Sequence, residues 1–451
     1  MTLNVELAHL LRFVRKKARR YWLNYGLFWV GAVLVGLVSV LFARAADLAQ
    51  HQFSTWIAGR AWLALLITPV LTALCVWCTR RYFVGSEGSG IPQVIAAMHA
   101  PTRRQLIPGL FGLRIIIGKI GIGLTGLAAG LTIGREGPTV HIGASIMYEM
   151  RRFYPRVSPR LERSLLLAGA AAGLSGAFNT PLAGIVFAIE EVARSFESRT
   201  NGTLITAIVF SGLVSLALAG NYLYFGQISS PSVLPLEFAL PVGFAALLCG
   251  VGGGCFNLLL LRQKRWIPAR LLQIRATQPL WWGAGLGLVI ALIGLATGGE
   301  IWGSGYDQAR ALLMDEPHTV SLLYPVTKMA TMVLTYLSGI PAGLFSPSLS
   351  IGAGFGHVAS ALFPDAPVSA LIAICMVGYL AGVTQSPLTS FIIVMEMTNG
   401  GALLLPLMAT ALISSQVAKL FTPPLYEALA RQNYIAPAAA PPSVALAPPT
   451  P

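Results

Sequence analysis

Charged residues are scarce in this chain. Asp, Glu, Lys and Arg make up 11% of its 451 residues, whereas soluble domains carry about 25%. Acids are the scarcest, with 17 Asp and Glu against 31 Lys and Arg. So few charges cannot cover the surface of a soluble protein of this size, which excludes an ordinary cytosolic enzyme, a disordered protein and a nucleic-acid binder. The basic excess instead fits the cytoplasmic loops of a membrane protein.

Motifs for metal and nucleophilic chemistry are also missing. The five cysteines lie in apolar stretches, and the one Cys-x-x-Cys pair, at 75–78, has no second pair and no neighbouring histidine. None of the six histidines is followed by Glu, so there is no HExxH zinc site, and no Gly-x-Ser-x-Gly elbow occurs. We therefore expect no metal and no cofactor, and a membrane-embedded protease is disfavoured.

Apolar segments dominate what remains, with 55% apolar residues and a mean hydropathy of +0.69. Nine segments are long enough, or nearly so, to cross a hydrocarbon core of ~30 Å; they are about 25–45, 60–79, 106–133, 203–224, 237–261, 281–298, 322–337, 367–382 and 401–420. Shorter pieces interrupted by Gly and Pro lie between them, at 85–98, 134–150, 164–195, 339–363 and 383–398. Broken helices are tolerated in a membrane only inside protein or beside a water-filled cavity. The pattern predicts an all-α polytopic membrane protein with a transporter-type binding site.

The ends of the chain differ from its middle. Residues 1–24 combine a basic cluster with leucines at helical spacing and no cleavage pattern, which predicts a cytoplasmic amphipathic helix. Residues 433–451 are rich in Ala and Pro and predict a disordered tail. We expect both termini to be cytoplasmic, and no cytoplasmic regulatory domain is expected.

The two halves of the chain contain matching motifs. Pro347 lies 209 positions after Pro138, within matching Gly-x-x-x-Pro segments, and Lys328 lies 209 positions after Lys119. Pro181 precedes Glu190 by nine positions, as Pro387 precedes Glu396. A further match joins GSG at 88–90 with GSG at 303–305. We interpret these matches as a duplication with membrane repeats at 25–220 and 221–432, which predicts a site near the bilayer midplane where the repeats meet.

Three Gly-rich breaks stand in the apolar background, at 88–92, 134–138 and 339–347. Each precedes a segment that favours a helix, so each exposes backbone N–H groups at a helix N-terminus. Such a terminus carries roughly half a positive charge and binds anions. The alternative for any single break is a kink that serves helix packing. Three breaks, in a chain whose halves carry matching motifs, predict an anion site. Helix N-termini would hold the anion there without a fully charged side chain.

Ionisable residues inside a membrane are costly and usually functional. Glu136 lies within a break, where its carboxylate would compete with an anion until protonation releases it. Glu190 and Glu191 end an apolar helix, and as neighbours they face different ways, one toward a proton path and one toward a structural partner. The alternative for this pair is a position at the surface end of the helix. Ion-pair roles are predicted for Arg135, Lys119 and Lys328, and a packing or ion-pair role for Glu396.

The chain resembles the CLC family of chloride channels and chloride/proton exchangers from about residue 85 to 430. The matching motifs are GSGIP at 88–92, GREGP at 134–138, GLFSP at 343–347, the Glu190-Glu191 pair and MEMT at 395–398. The resemblance implies a CLC-type inverted-topology repeat with broken, re-entrant helices. It also implies a homodimer in the lipid bilayer with one pore per subunit, in the inner or cell membrane of a prokaryote.

Roles for individual residues follow from the same resemblance. Glu136 becomes the external gating glutamate and Glu191 the internal proton-transfer glutamate, with Glu190, Arg135 and Lys119 in support. The anion-binding residues are Ser89, Gly90, Ile91, Leu344, Phe345 and Tyr426. Ser89 and Tyr426 offer hydroxyls, and Leu344 and Phe345 offer backbone N–H groups.

The function implied is chloride/proton antiport, because Glu191 is an acid where channels of the family usually lack one. The alternative is a passive voltage- or pH-gated chloride channel of the same family. A fluoride-selective relative is disfavoured by Ser89 within GSGIP. Gln93 and Asn399 depart from the residues common in the family, Glu and Asp, and leave details of the dimer face and the solvent path open.

Overall fold

The computed structural model describes residues 25–99, 103–155, 157–194, 202–220, 222–228, 238–316 and 320–435. Within them the chain is helical, apart from loops and two isolated β-bridges. The helix predicted for 1–24 lies outside the described residues, as do residues 436–451 of the predicted tail. Asn433, placed in that tail by the sequence, instead ends a helix.

The first half of the described chain contains nine α-helices. They are α1 Leu27–Ile57, α2 Ala64–Arg81, α3 Ile91–His99, α4 Arg103–Leu110, α5 Leu113–Ala128, α6 Glu136–Met150, α7 Pro159–Phe178, α8 Pro181–Phe187 and α9 Gly202–Ala219. A π-helical turn, Ala188–Ala193, continues α8. Short 3₁₀ turns occupy Ala61–Leu63 and Arg151–Phe153.

The described second half adds eleven α-helices. They are α10 Ala239–Leu261, α11 Gln263–Trp266, α12 Ala269–Thr277, α13 Pro279–Ala296, α14 Tyr306–Leu313, α15 Tyr324–Ser338, α16 Phe345–Leu362, α17 Val368–Thr384, α18 Pro387–Thr398, α19 Leu404–Lys419 and α20 Leu425–Asn433. A 3₁₀ turn, Gly401–Leu403, precedes α19.

Six helical segments of the described chain are long and apolar enough to cross a membrane. Large apolar side chains stay exposed on all six, among them Leu405 at 76% and Trp281 at 73%, as expected where lipid replaces water. The apolar segment predicted at 106–133 contains one of these six, Ile107–Ala128, which includes the end of α4 and all of α5. Gly112 lies between the two helices with a φ of 121°, a conformation that favours glycine, and α5 begins at the next residue.

Other helices are buried on all sides and form the centre of the molecule. In α17 every residue from Ala370 to Thr384 is buried, which explains why the helix shows no polar face. Small residues bring α6 and α7 together at backbone distance. A β-carbon on Gly173 would lie 2.9 Å from the carbonyl carbon of Thr139, so only glycine permits this crossing.

The two halves repeat a local design. Asn179 and Gln385 take left-handed conformations, with φ of 56° and 59°, and cap the ends of α7 and α17. Pro181 and Pro387 then start α8 and α18, because proline is favoured in a first helical turn. The interruptions predicted within 164–195 and 383–398 are therefore present, at Asn179 and Gln385.

Candidate functional site

The three Gly-rich breaks are joined by backbone hydrogen bonds. Gly88 donates to Ile340 (2.9 Å) and accepts from Ala342 (3.0 Å). Gly134 and Gly343 exchange a pair of bonds of 2.9 and 3.1 Å. Each break precedes a helix, so this pairing brings the N-termini of α3, α6 and α16 together, as the sequence predicts.

Glycine is required where two of these breaks meet. A β-carbon on Gly134 would lie 2.8 Å from Cδ of Pro347, and one on Gly343 would lie 2.8 Å from Cδ of Pro138. Both glycines and both prolines are repeat mates. The close approach is therefore symmetric, and it sets the distance between the first turns of α6 and α16.

Glu136 begins α6 and is fully buried. Its carboxylate accepts a hydrogen bond from the backbone N–H of Ser346 (3.3 Å) and a second, short one from the Ser346 hydroxyl. Ser346 is in the first turn of α16, where N–H groups have no partner within the helix. The carboxylate thus occupies a helix N-terminus in the way that a free anion would.

Two buried hydroxyls lie near the same helix terminus. The Ser89 and Tyr426 side chains are at most 1% exposed, and neither hydroxyl makes a hydrogen bond of normal geometry, although they interact electrostatically. The Tyr426 ring stacks on Phe345, with ring centroids 6.0 Å apart and planes 8° apart. Ser89 packs against Gly137, beside Glu136. Ser89, Phe345 and Tyr426 are therefore brought together as predicted, with Leu344 at the N-cap of α16 and with Gly90 and Ile91 at the start of α3.

Glu190 and Glu191 face different ways, as their adjacency predicts. The Glu190 carboxylate accepts from the N–H groups of Leu388 (3.1 Å) and Thr389 (2.6 Å) at the start of α18. The Glu191 carboxylate is buried and accepts a short bond from the Ser386 hydroxyl, while its other oxygen has no hydrogen-bond partner. Both acids lie on the π-helical turn, a feature that is frequent at functional sites.

Glu396 makes the mirror-image contact in the other repeat. Its carboxylate accepts from the N–H groups of Leu182 (3.0 Å) and Ala183 (2.7 Å) at the start of α8. The predicted packing or ion-pair role therefore needs correction. In a non-polar surrounding, two helix N–H groups supply the donors that a carboxylate needs.

Arg135 forms the predicted ion pair. Its guanidinium lies 2.7 Å from the Asp47 carboxylate and donates to the carbonyl of Ala43 (3.1 Å). It also covers the ring of Tyr224, 5.2 Å from the ring centroid. The distance from Nε to the carboxylate of Glu136 is 3.9 Å. The charge is thus turned toward Asp47 and stays at the margin of the Glu136 site.

The ion-pair prediction is wrong for the two buried lysines. Lys119 Nζ donates to the carbonyl of Gly88 (2.7 Å), and Lys328 Nζ donates to the carbonyls of Ile301 (2.7 Å) and Gly303 (2.8 Å). In the part of the chain that the structure describes, neither lysine forms an ion pair. Each binds a carbonyl of one GSG loop, Gly88 or Gly303, and these loops lie outside any helix.

Two cavities adjoin the site and share no lining residue. The first, the Arg135 cavity, has a volume of about 570 Å³ and is lined by Arg44, Asp47, Gln50, His51, Arg135, Tyr222, Tyr224, Tyr306 and Asp307 among others. The second, the Arg275 cavity, has a volume of about 320 Å³ and is lined by Glu87, Gly88, Ser89, Pro92, Gln93, Gln263, Arg275, Tyr336, Gly339, Asn433 and Tyr434. Glu136 adjoins the first cavity through Arg135, and Ser89 lines the second.

Sequence reasoning missed the two serines that hold the glutamates. Ser346 directly follows Phe345 within a motif that was recognised, which was the available signal. Ser386 precedes Pro387 at a helix start, a position that favours a hydroxyl. Neither residue stands out, because serine is common among the buried residues of this chain. Among the described residues no cluster of His, Cys, Asp and Glu could hold a metal ion.

The fold and site define a class: a polytopic membrane protein whose broken helices point their N-termini at one buried place. Residues 71–419 match the model of the voltage gated chloride channel family. The chain belongs to this family, the CLC family.

Named relatives are similar over most of their length. The H(+)/Cl(-) exchange transporter ClcA of Salmonella arizonae is 30% identical over 445 residues, with 93% of this chain and 91% of that protein covered. The ClcA of Klebsiella pneumoniae (strain 342) is 30% identical over 423 residues, covering 90% and 87%. Among solved structures, a slow cyanobacterial Cl⁻/H⁺ antiporter superposes with a TM-score of 0.75 at 26% identity, covering 90% of this chain and 97% of its own.

A more distant structure supports the fold alone. A CLC-type fluoride/proton antiporter superposes with a TM-score of 0.72 at 22% identity, covering 89% of this chain and 96% of its own. The CLC fold that the resemblance implies is therefore confirmed. The chain is an integral membrane protein and a member of a transporter family.

Proposed function

We propose that this protein is a secondary active chloride/proton antiporter. One observation carries the proposal: the buried carboxylate of Glu136 rests on the N-terminus of α16, where an anion would bind. A carboxylate at that place is charged when it blocks the site and neutral when it leaves. One group can therefore couple anion movement to proton movement. Relatives named as H(+)/Cl(-) exchange transporters support the same reading.

The anion path uses partial charges. Chloride binds between the Ser89 and Tyr426 hydroxyls and the first N–H groups of α16, at Leu344 and Phe345, with Gly90 and Ile91 adding the first turn of α3. Helix N-termini attract the anion with roughly half a charge each. A buried lysine or arginine in direct contact would hold it too tightly for rapid passage. When Glu136 takes up a proton, its hold on Ser346 weakens and chloride takes its place.

The proton path uses a second acid. Glu191 is buried, and one of its oxygens has no hydrogen-bond partner. Tyr426 lies within electrostatic range of both Glu191 and Glu136, so the anion site separates the two acids. Glu191 takes a proton from one side of the membrane and passes it toward Glu136. Ser386 holds the Glu191 carboxylate in position while it does so.

A passive chloride channel is the second candidate, and the description of the family favours it. A channel needs the anion site and the Glu136 gate but no second acid. An ionisable residue buried within a membrane protein is costly and is usually functional. The presence of Glu191 therefore favours the antiporter.

Assembly and orientation are part of the proposal. We place the repeats at 25–220 and 221–432 and both termini in the cytoplasm, in the inner membrane of a prokaryote. Basic residues at 151–163 and 262–270 support this orientation, because cytoplasmic loops carry an excess of Lys and Arg. The exposed apolar side chains contact lipid and a second copy of the chain, with one pore per subunit.

Purified protein in liposomes tests the proposal. A chloride gradient is imposed without clamping the voltage, and the external pH is followed with an electrode. Antiport predicts uphill proton movement that stops when a protonophore is added. Chloride flux without proton movement would establish the channel, and Glu191 would then have a structural role.

A further inference from the structure

The π-helical turn that carries Glu191 ends at an arginine. Arg194 follows Glu191 by three positions and caps the turn in a left-handed conformation, with a φ of 49°. This conformation is uncommon for a residue other than glycine, and here it ends the helical turn. Arg194 interacts electrostatically with the Glu191 carboxylate. A full positive charge is therefore present near the acid that we assign to the proton path.

The guanidinium of Arg194 is bound to another carboxylate. Its Nη1 donates a short hydrogen bond to Oε2 of Glu427, in the first turn of α20. The other oxygen of Glu427 accepts from Nη2 of Arg431, one turn further along α20. The side chains of Arg194 and Glu427 are 27% and 24% exposed, so water reaches this ion pair in part. Glu427 thus holds two arginines, and one of them, Arg194, acts on Glu191.

The Glu191 carboxylate could accept the donors that Glu427 now takes. Glu191 is 1% exposed, and the Ser386 hydroxyl donates to one of its oxygens, while Oε1 has no hydrogen-bond partner. A buried polar atom without a partner is costly, and a guanidinium has five N–H donors. Side chains three positions apart on a helix can meet. Arg194 would therefore bind the free oxygen of Glu191 if Glu427 did not hold it.

An ion pair between Arg194 and Glu191 would stop proton transfer. Opposite charges attract far more strongly inside a protein than in water, so such a pair would keep Glu191 ionised. An acid that takes up and releases a proton in every cycle needs a partner without a full charge. The Ser386 hydroxyl is such a partner.

Other groups near Glu191 are bound elsewhere or are neutral. The Glu190 carboxylate is used by two N–H groups of α18. Nε2 of His99 lies 3.0 Å from a backbone carbonyl oxygen of the same π-helical turn. Tyr426 reaches Glu191 electrostatically but carries no positive charge. In the part of the chain that the structure describes, Arg194 is thus the cation whose charge acts on Glu191.

We propose that Glu427 is a positioning residue for proton transfer: it holds Arg194 and so keeps the free oxygen of Glu191 open to a proton. The inference rests on the proposed function, because it concerns the acid assigned to the proton path. Glu427 directly follows Tyr426 in the chain. The first turn of α20 therefore serves the anion through Tyr426 and the proton through Glu427.

Liposomes with chloride and pH electrodes test the proposal. Glu427→Gln should lower the ratio of protons to chloride about fivefold, the size of effect expected when one partly exposed ion pair is lost, while chloride still passes. Glu427→Gln combined with Arg194→Gln should restore the wild-type ratio, because no cation is left to bind Glu191. Arg194→Gln alone should also stay coupled. Arg431→Gln is the matched control, since it removes the other partner of Glu427 and leaves Arg194 held.

The double variant decides between this role and a purely structural one. If it is as uncoupled as Glu427→Gln, Glu427 acts without Arg194 and the proposal is wrong. A wild-type ratio in Glu427→Gln would also overturn it. Glu427→Asp keeps the carboxylate and should keep the coupling, which separates the charge from damage to α20. If Glu427→Gln lost chloride flux as well, recovery of flux and coupling in the double variant would support the proposal, and continued loss would overturn it.

A crystal structure of Glu427→Gln gives a readout that does not depend on transport. The Arg194 guanidinium should lie within hydrogen-bond distance, about 3 Å, of the free oxygen of Glu191, and it should stay on Glu427 in Arg431→Gln. A guanidinium turned toward water in Glu427→Gln would contradict the proposal. If the wild-type protein moved chloride without protons, the proposed function would fail. The crystal structure would still show whether Glu427 holds Arg194 away from Glu191, so the two failures can be told apart.

Discussion

Glu190 and Glu396 each cap the helix from which the other extends. Glu190, on the turn that continues α8, accepts from N–H groups at the start of α18. Glu396, near the end of α18, accepts from N–H groups at the start of α8. The two carboxylates therefore join α8 and α18 with four hydrogen bonds. Glu191 follows Glu190 on the same π-helical turn, but its carboxylate accepts from the Ser386 hydroxyl and takes no part in these four bonds.

Removing one of these two helix caps should lower the stability of the fold. Glu396→Ala leaves two N–H groups without acceptors, and we expect a loss of about 2 kcal/mol, since hydrogen bonds to charged groups contribute ~1.5–3 kcal/mol. Glu396→Gln keeps one acceptor and should lose about half as much. Thermal unfolding in detergent measures both, and Asp365→Ala, which removes an exposed acid, is the control.

Coupling between the two caps gives a sharper test. If the two helix caps depend on each other, Glu190→Ala combined with Glu396→Ala should lower the free energy of unfolding by less than the sum of the single changes. Strict additivity would mean that each carboxylate stabilises only its own helix.

Glu136→Ala should separate chloride movement from proton movement. Alanine removes the carboxylate that competes with chloride at Ser346, so chloride flux continues while proton movement stops. Liposomes with parallel chloride and pH electrodes measure both. Glu149→Ala, which removes an acid outside the site that pairs with Arg152, should keep the coupling. Normal proton pumping in Glu136→Ala would rule out the tethered carboxylate as the shared group.

Glu191→Gln should also abolish proton coupling while chloride still passes. Glutamine keeps an oxygen that accepts from the Ser386 hydroxyl, so the local structure is preserved and only the titratable group is lost. The same electrodes measure the ratio of protons to chloride. Glu190→Gln is the matched control, because the Glu190 carboxylate is already used by two N–H groups. Equal uncoupling in both variants would contradict the assignment to Glu191.

The breaks and the acids could be predicted because they contrast with their background. Gly and Pro interrupt long apolar runs, and a glutamate such as Glu136 is conspicuous among them. The helices that follow the breaks were therefore found, and so was the convergence of their N-termini. The interruption between α4 and α5 inside the apolar segment 106–133 could not be predicted, because it depends on the conformation of a single residue, Gly112.

The partners of the charged groups could not be predicted. Lys119 and Lys328 were assigned to ion pairs, since carboxylates are the usual partners, yet they bind carbonyls that only the folded GSG loops expose. Glu396 meets its N–H groups across the two repeats, more than two hundred positions away in the chain. Contacts of that kind depend on how helices pack, and local sequence carries no signal for them.

Gly173→Ala tests the close crossing of α6 and α7. The added β-carbon would lie 2.9 Å from the Thr139 carbonyl carbon, and forced overpacking costs about 1–3 kcal/mol. Gly121→Ala is the control, because a β-carbon there meets nothing within 4 Å. That variant should be neutral or slightly stabilising, since alanine favours a helix by ~1 kcal/mol over glycine. Equal melting temperatures for the two variants would mean that the helices separate easily.

Tyr426→Phe isolates the contribution of one hydroxyl to anion binding. The ring stays stacked on Phe345, so the variant removes the oxygen and little else. We expect chloride affinity, measured by calorimetry, to fall about tenfold, because a hydrogen bond to a charged partner contributes roughly 1.5 kcal/mol or more. Tyr379→Phe removes another buried hydroxyl without a hydrogen-bond partner and should leave the affinity unchanged. Unchanged affinity in Tyr426→Phe would remove Tyr426 from the anion site.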